Sequence, residues 1–397
     1  MNILFISAIF PYPLHSGGQV RIYHLLKELS QKHTITLLSF IRDPKEAEAS
    51  KHLPFLKATH TIMRGKAMQP KYLAKAALTD LPWLLSTYEN EHMKKLIQQE
   101  LDTNTYDLIH IEPFYVYPSV PKSVNIPLVV GEHNIEYAVY EKYQQSMLPK
   151  IVSPLASWDV GKMKSWEEKI WKKATAIIAV SESDKAVMER LGNGSKVTVV
   201  ENGVDTKEFT VSKKNIDSKR PVFLFTGNFS WMPNKESIEV LLHTIWPKVL
   251  ENFPEATLHI VGKNLPEALQ DEVKLLSSVV YKSHVERIQD ELLICDALIA
   301  PMAIGGGTKF KIIESFAAGV PVITTKEGIM GLPVRDGEQV LIADSSDDFV
   351  KKIQYLCSHP KEIQIMVQKA RIVVEQYDWK EMGKKMDGVW EKVGGKV

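Results

Sequence analysis

Short apolar runs alternate with amphipathic helical segments along this chain, in two successive series. In the first series, runs such as Asn2 to Ser7 and Ile126 to Gly131 end in polar or glycine-rich loops. The alternation restarts with the run from Val222 to Thr226 and continues to Ala343. Apolar runs of this length are typical of strands buried in a parallel sheet that helices cover on both faces. The pattern therefore predicts an α/β fold with two doubly wound, Rossmann-like domains.

The chain has 397 residues, too many for one ordinary hydrophobic core. A polar, lysine-rich stretch from Val204 to Arg220 shows no periodicity and separates the two series. The turn signal Asn202-Gly203 stands just before it. We therefore predict a first domain over residues 1–201, a second domain over residues 202–378 and a final helical segment over residues 379–397.

Composition excludes several classes of protein. The net charge of +1 argues against a nucleic-acid partner held by bulk charge. The two cysteines fit a reducing compartment. The N-terminus lacks the features of a signal peptide, and no apolar run approaches a membrane span. We expect a cytoplasmic protein. Peripheral contact with the inner face of the plasma membrane stays open, because Trp158 to Lys173 is rich in Trp and Lys; burial of these tryptophans is the alternative.

The stretch from Ala300 to Thr325 combines a strand end, a glycine-rich loop and a helix. The glycines at 305–307 allow the backbone to approach a ligand without a Cβ, and Thr308 is placed to cap the helix. We expect Lys309 in the first helical turn, where a cation opposes the helix dipole, and this indicates an anion site, most often for phosphate. Glu314 lies more than one turn further on and is placed to accept hydrogen bonds from sugar hydroxyls. The alternative is a turn whose glycines serve only helix–sheet packing.

Polar or glycine-rich loops follow other predicted strands as well. Gly17-Gly18 follows the first strand, His133 follows the strand IPLVVG, and Gly227 ends the first strand of the second domain. The first loop is not GxGxxG, so the dinucleotide-binding fingerprint is absent. Ligands on doubly wound sheets bind outside the carboxyl ends of the strands. Two facing domains would bring these loops together, which predicts an active site between the domains.

Six segments together resemble one known family. They are SGG (16–18), EHN (132–134), VVENGVD (199–205), TGNFSWMPN (226–234), ATLHIVGKN (256–264) and GGGTKFKIIESFAAGVPVITT (305–325). Their order and spacing resemble the retaining glycosyltransferases of family 4, the group 1 glycosyl transferases, which have the GT-B fold. The resemblance covers nearly the whole chain. It implies an acceptor-binding first domain, a second domain that binds a nucleotide sugar, and a C-terminal helix that returns to the first domain.

The resemblance also implies roles for single residues. The carboxylate of Glu314 would bind the nucleotide ribose, the backbone at Val285 would contact the base, and His133 would contact the donor sugar near the reaction centre. The loop before Lys309 would hold the diphosphate. The donor-binding candidates are Gly17, Gly18, Gly227, Asn228, Lys235, Val285, Gly305, Gly306, Gly307, Thr308, Lys309 and Glu314. His133, Lys309 and Glu314 are the catalytic candidates, and Glu132 and Asn134 are expected near the acceptor or the sugar, with Glu132 either orienting His133 or capping the next helix.

The sequence departs from the family pattern at two places. The family often has a second glutamate eight residues before the position of Glu314, where this chain has Gly306. It also often has arginine and lysine after the first strand of the second domain, where Asn228 stands here. Lys309 would then carry the diphosphate alone, or together with Lys235 or Lys263.

We therefore expect a retaining, hexosyltransferase-like enzyme that needs no cofactor and no metal. Its donor would be a nucleotide-diphosphate sugar of UDP or GDP, and its acceptor a glycan or a lipid-linked glycan of bacterial surface polysaccharide synthesis. Charge grows on the leaving phosphate in such a transfer, and lysine with backbone N–H groups stabilises it without a metal ion. A sugar-nucleotide epimerase and a non-catalytic sugar-nucleotide-binding protein are the alternatives.

Overall fold

The computed structural model describes residues 1–147, 153–192, 196–211, 216–303 and 309–395. The chain divides into two compact units. The first is Met1–Glu201 together with Trp379–Val397, and the second is Asn202–Asp378. The glycine triplet at 305–307 and Thr308 lie outside the described residues, so their predicted roles stay predictions.

The first unit is built on a parallel sheet, which has seven strands within the described residues. These are β1 (Asn2–Ser7), β2 (Thr34–Ile41), β3 (Ala58–Met63), β4 (Leu108–Glu112), β5 (Leu128–Gly131), β6 (Ala176–Ala179) and β7 (Val197–Val199). They lie in the order β3-β2-β1-β4-β5-β6-β7, so the chain reverses its direction of travel across the sheet between β1 and β4. The loops after these two strands part there and leave a crevice at the carboxyl edge.

Helices pack against this sheet because their apolar stripes complete the core over strands that are themselves buried. Those of the first 201 residues are α1 (Gly17–Leu29), α2 (Pro44–Glu48), α3 (Pro70–Leu78), α4 (Trp83–Ser86), α5 (Glu91–Thr103), α6 (Glu136–Met147), α7 (Ser153–Lys173) and α8 (Glu182–Gly192). Short 3₁₀ helices cover Ala49–His52 and Phe114–Ser119.

The second unit repeats the plan with a parallel sheet that has six strands among the residues described. They are β8 (Val222–Thr226), β9 (Thr257–Val261), β10 (Val279–Lys282), β11 (Ala297–Ala300), β12 (Val322–Thr324) and β13 (Leu341–Ile342). Their order is β10-β9-β8-β11-β12-β13, which places the reversal between β8 and β11. The loops after β8 and β11 therefore flank the crevice of this sheet.

The helices of the second unit follow its strands in alternation. They are α9 (Met232–Val240), α10 (Trp246–Asn252), α11 (Glu267–Leu275), α12 (Ile288–Ile294), α13 (Phe310–Ala318), α14 (Ser346–Ser358) and α15 (Pro360–Glu375), with a π-helical turn at Leu241–Ile245 between α9 and α10. Gly319 ends α13 in the left-handed conformation, with φ of 68°. Over the stretches that the structure describes, no helix has both the length and the apolar character required to cross a bilayer.

The last helix, α16 (Trp379–Gly394), belongs to the first unit and packs against α1. Trp379 stacks on His24, with ring centroids 5.2 Å apart. A Cβ on Gly383 would lie 2.8 Å from Cβ of Glu28, so glycine permits the close approach of the two helices. Two turns later Trp390 is fully buried. The predicted return of the C-terminal helix to the first domain is confirmed.

Candidate functional site

Glu112 is a fully buried carboxylate at the carboxyl end of β4, beside the crevice of the first sheet. Its Oε1 accepts a hydrogen bond from Nε of Arg21 at 2.7 Å and lies 2.9 Å from Nε2 of His133. Its Oε2 lies 3.0 Å from Nε2 of His110. Burial raises the pKa of this carboxyl, but the charge of Arg21 and the bonds to the two histidines hold the pKa well below 4.5. Glu112 is thus an anion that gathers three side chains from three elements.

His133 lies in the loop after β5, and its side chain is 17% exposed. Its ring packs against the first turn of α1 at Gly18. A Cβ at Gly18 would lie 3.0 Å from Cε1 and 3.1 Å from Nδ1 of His133, and 2.8 Å from Cδ1 of Ile9. The structure therefore brings together Gly18 and His133, two of the predicted site residues, and glycine leaves the space that the imidazole occupies. Gly17 begins the same helix, which Ser16 caps.

Glu132 and Asn134 flank His133 and have different partners. Oε1 of Glu132 accepts from Nε1 of Trp171 at 2.9 Å, so this buried carboxyl is bonded to α7. Nδ2 of Asn134 lies 3.4 Å from Oε1 of Glu136, a long contact in the first turn of α6. The side chain found holding His133 is Glu112, whereas the backbone N–H groups that begin α6 donate to Glu167 of α7 at 2.8 Å.

Three buried carboxyl groups belong to the EHN segment and the two helices that follow it, namely those of Glu132, Glu136 and Glu167. Burial, together with the neighbouring carboxyl of Glu167, raises the pKa of Glu132 well above its usual value. Burial raises the pKa of Glu136 to about 7, although bonds from Tyr115 and Asn134 partly offset it. Burial also raises the pKa of Glu167, again against bonds from the start of α6. The pKa shifts of these groups favour the protonated state, unlike that of Glu112 at the end of β4.

In the second unit, the loop after β8 is held tightly to the loop after β9. Gly262 has φ of 148°, and a Cβ there would lie 1.8 Å from the carbonyl oxygen of Gly227. The backbone N–H of Phe229 donates to the carbonyl oxygen of Lys263 at 2.9 Å. Oδ1 of Asn228 accepts from its own loop and from Nδ2 of Asn264 at 3.1 Å. Asn228 therefore fixes the loop after β8, and the backbone of Lys263 helps to hold it against the loop after β9.

Asn234 joins this loop to α13. Its Nδ2 donates to the carbonyl oxygen of Asn228 at 3.0 Å, and its Oδ1 accepts from Nζ of Lys311 at 2.9 Å. A Cβ at Gly227 would lie 2.8 Å from Cγ of Asn234, so glycine again leaves space for the side chain beside it. The arrangement brings the end of β8 and the helix after β11 to one point.

Lys311 is half-buried at this point. Besides Asn234, its Nζ lies 3.8 Å from Sδ of Met302 and 4.3 Å from the centroid of the Phe225 ring. Burial and then the charge of Lys309 lower the pKa of Lys311 to about 7, against an opposing effect of Glu314. An ammonium with a lowered pKa at a sheet crevice is a candidate for anion binding.

Lys309 occupies the N-cap position of α13, with extended backbone (φ −89°, ψ 118°). The prediction that it lies in the first turn is wrong by one residue, because its carbonyl oxygen is the first to accept helical bonds, from the N–H groups of Ile312 and Ile313. It nevertheless stands at the helix N-terminus, where positive potential is greatest. The predicted anion-binding loop that precedes it lies outside the described residues.

Glu314 follows Lys311 by almost one turn of α13 and is half-buried. Burial raises its pKa to about 7, although the charge of Lys311 opposes the shift. Val285 lies in the loop after β10, packed on the core of its unit. Lys235 is at the start of α9, half exposed, with Nζ 3.9 Å from Glu239. Of the predicted donor-binding residues that the structure describes in this unit, Gly227 and Asn228 follow β8, Val285 follows β10 and Lys309 follows β11, so they lie at the same sheet edge.

Three residues at these two edges escaped the sequence analysis as site candidates, namely Glu112, Asn234 and Lys311. The signal for Glu112 was an acid at the end of the apolar strand LIHIE. The signal for Lys311 was the second lysine of KFK. Asn234 ends the segment TGNFSWMPN, but nothing there set it apart, because one asparagine in a helix start is usually local structure. Of the described residues, no group of three or more His, Cys, Asp or Glu side chains is arranged to hold a metal ion.

Both units match families of known proteins. Residues 15–208 match the family described as Glycosyltransferase Family 4. Residues 220–359 match the family described as Glycosyl transferases group 1. A putative glycosyltransferase of Bacillus subtilis (strain 168), YtcC, is 24% identical over 336 residues, which cover 76% of this chain and 77% of that protein.

Solved structures show the same architecture. The sucrose-phosphate synthase from Thermosynechococcus elongatus superposes with a TM-score of 0.76 at 17% identity, covering 99% of both chains. The Anabaena protein Alr3699/HepE in complex with UDP-glucose superposes with a TM-score of 0.67 at 15% identity, covering 99% of this chain and 100% of that chain. The predicted GT-B fold with two Rossmann-like domains is confirmed.

Proposed function

This chain belongs to glycosyltransferase family 4, the group 1 glycosyl transferases, and we propose that it transfers a hexose with retention of anomeric configuration from a nucleotide-diphosphate sugar. We propose a glycan or lipid-linked glycan as acceptor, in the synthesis of a bacterial surface polysaccharide. The acceptor binds to the first unit and the nucleotide sugar to the second, at the carboxyl edges of their sheets.

The observation that carries the proposal is the environment of the Lys311 ammonium. It lies half-buried in the crevice of the second sheet, and the hydrogen bonds described for it go to an amide oxygen and a thioether sulfur. Lys309 adds a second positive charge and further lowers the pKa of Lys311. Two cations drawn together and partly out of water are stabilised by an anion placed between them. The diphosphate of the donor is that anion.

We propose the other donor contacts from what the resemblance to the family implies. Gly305 to Thr308 supply backbone donors to the diphosphate beside Lys309, while Glu314 accepts from the ribose hydroxyls. The loop at Val285 meets the base, and Gly227 and Asn228 line the approach to the phosphates. UDP or GDP is the expected nucleotide, and UDP is favoured because the structurally similar Alr3699/HepE is described in complex with UDP-glucose.

The chemistry requires stabilisation of the leaving diphosphate. Cleavage of the anomeric C–O bond develops positive charge on the sugar and negative charge on the phosphate oxygens. Fixed cations at those oxygens stabilise the transition state without a metal ion. His133 contacts the sugar, and the leaving phosphate takes the proton of the acceptor hydroxyl on the same face. The NMR spectrum of the product tests this step, since an inverted anomer contradicts it.

Exposed apolar side chains on the first unit support a membrane-bound acceptor. Trp171 is fully buried, as a structural role requires, but Trp158 is 47% exposed with Nζ of Lys162 3.4 Å from its ring centroid. Lys162 also donates to α3, whose Leu73 and Leu78 are 49% and 85% exposed. Lysines beside exposed Leu and Trp suit the surface of an anionic membrane. We propose that the enzyme works in the cytoplasm, in peripheral contact with the plasma membrane.

A nucleotide panel followed by a turnover assay tests the function. We expect UDP or GDP to raise the melting temperature above that with ADP or dTDP, because a ligand that binds the folded state stabilises it. Incubation of the matching nucleotide sugar with acceptor should release the nucleoside diphosphate. An epimer formed without acceptor would indicate the epimerase alternative. Binding without turnover on a panel of lipid-linked and soluble glycans would indicate a binding protein.

A further inference from the structure

We propose that Trp390, His110 and Glu112 form a buried relay that holds His133 in one tautomer, with its proton on Nε2 and a lone pair on Nδ1. All four residues belong to the first unit. Trp390, His110 and Glu112 do not touch the substrate in this proposal; they are positioning residues. The relay links the C-terminal helix to the histidine of the crevice.

The relay starts at a donor whose role is unambiguous. Nε1 of Trp390 lies 3.0 Å from Nδ1 of His110, and an indole nitrogen only donates. Nδ1 of His110 must therefore accept, which leaves its proton on Nε2. That Nε2 lies 3.0 Å from Oε2 of Glu112 and donates to it. His110 is fully buried, and burial lowers its pKa, in agreement with a neutral ring that has one fixed tautomer.

Glu112 also determines which ring nitrogen of His133 carries the proton. Its Oε1 already accepts from Nε of Arg21 at 2.7 Å, and a guanidinium N–H is always a donor. The carboxylate has no proton to offer, so Nε2 of His133 at 2.9 Å must carry one. Arg21 is held in turn by the carbonyl oxygens of Val200 and Glu201, each at 2.9 Å from its NH1. Every direction of donation in the network is then determined.

The other ring nitrogen of His133 is Nδ1, which carries no proton in this tautomer. Nδ1 of His133 faces the first turn of α1, 3.1 Å from the position of a Cβ on Gly18. In the neutral ring this nitrogen carries a lone pair, so it can accept a hydrogen bond and cannot donate one. This deepens the proposed function, on which it rests: a sugar hydroxyl that meets His133 at Nδ1 must donate the hydrogen bond, because the relay keeps the proton on Nε2.

The tautomer is measurable in the wild-type protein without an activity assay. Long-range ¹H–¹⁵N correlation of labelled protein, with H133N used to assign the resonance, reports which ring nitrogen carries the proton. We expect the Nε2–H form for both His110 and His133 at a pH where the rings are neutral. An Nδ1–H form at His133 overturns the proposal. Because this measurement needs no substrate, it stands apart from any failure of the proposed transferase function.

A mutant cycle tests the relay itself. In Glu112→Gln the new NH₂ group must take the place of one carboxylate oxygen. In the place of Oε1 it meets the N–H donors of Arg21 and His133, and in the place of Oε2 it meets the N–H donor of His110. His110 cannot reverse its tautomer while Trp390 donates to Nδ1. We expect kcat to fall roughly 10- to 100-fold, as when a group that orients a working histidine is lost.

Adding Trp390→Phe should restore activity. Without the indole N–H, His110 carries its proton on Nδ1 and accepts the glutamine NH₂ at Nε2, so the glutamine oxygen again faces Arg21 and His133. E112Q/W390F should therefore exceed E112Q in kcat. The control is E112Q/W246F, because the buried Trp246 donates to Ser278 in the other unit and should rescue nothing. A folded E112Q/W390F protein that is no more active than E112Q overturns the relay, and the NMR result decides if the variants do not fold.

Discussion

Lys311 donates to Asn234 at 2.9 Å, across 77 residues of sequence. The bond joins the start of α9, the helix after β8, to α13, the helix after β11, and the reversal of the second sheet lies between these two strands. The resemblance to the family leads us to expect cations after β8, and this chain has Asn228 there instead. The structure brings an ammonium to Asn234 from the facing helix. The helix after β11 thus brings an amine that can carry positive charge to Asn234, whereas Asn228 supplies no charge.

Removing that ammonium should weaken nucleotide binding. We expect Lys311→Ala to weaken the binding free energy of the nucleoside diphosphate by about 2 to 3 kcal/mol, because a charge-assisted hydrogen bond is lost. The Kd should rise roughly 30- to 150-fold. Calorimetric titration measures the change. Lys274→Ala is the matched control, since that lysine is exposed on α11 and pairs with Asp271. Equal Kd values for K311A and wild type would exclude Lys311 from the phosphate site.

Nucleotide binding should also take up protons. Burial and Lys309 lower the pKa of Lys311 to about 7, so above that pH the free protein holds the amine largely neutral. A bound diphosphate favours the ammonium and raises the pKa of Lys311. The nearby Glu314 acts on this pKa in the same direction. Affinity should therefore fall as pH rises from 7 to 9. Titrations at pH 8 in buffers of different ionisation enthalpy should show proton uptake that is lost in K311A; an unchanged proton count in K311A would refute the assignment.

A methyl group at Gly18 should displace His133. The Cβ of alanine would lie 2.8 Å from Cδ1 of Ile9 and 3.0 Å from Cε1 of His133, so the neighbouring side chains must shift to make room for it. We expect Gly18→Ala to lower kcat roughly 10-fold or more, because small misplacement of a positioned group is costly to catalysis. The control is Gly388→Ala in α16, whose Cβ meets nothing within 4 Å and which should gain up to about 1 kcal/mol of stability from helix propensity. A folded G18A protein with the kcat of wild type would show that the position of His133 does not matter for the reaction.

Neutralising Glu136 should change how stability depends on pH. Burial raises its pKa to about 7 from 4.5, so the folded state binds its proton more tightly than the unfolded state. The stability associated with that proton is present below pH 4.5 and is lost as pH rises to 7. The free energy of unfolding of Glu136→Gln should therefore rise relative to that of wild type as pH increases across this window, by about 1 to 3 kcal/mol at pH 7 and above. Urea unfolding at pH 5, 6, 7 and 8 measures the difference, which a pH-independent gap would contradict.

The fold was predictable because its signals are local. Apolar runs such as Ile3 to Ile6 need only their own composition to indicate buried strands, and glycines 227 and 262 mark the loops that follow. β3 escaped prediction because it lies at the sheet edge, where its residues are half-buried and include Thr and His. The site was predictable in part, through motifs near His133 and Glu314. The exact start of α13 was not, since a one-residue difference in the N-cap leaves the sequence pattern unchanged.

By itself, the sequence determined two parallel sheets, the loops at their carboxyl edges and the glycine positions where side chains could approach. The tertiary structure alone decided which polar groups meet there. Trp390 reaches His110 across 280 residues, and Arg21 reaches Glu112 across 91. Strand and helix periodicity depends on neighbours along the chain, whereas these bonds depend on β4 lying beside β1 and on the return of α16. Such pairings arise only when the whole unit is packed, because buried donors and acceptors must then find partners among whatever the fold brings near.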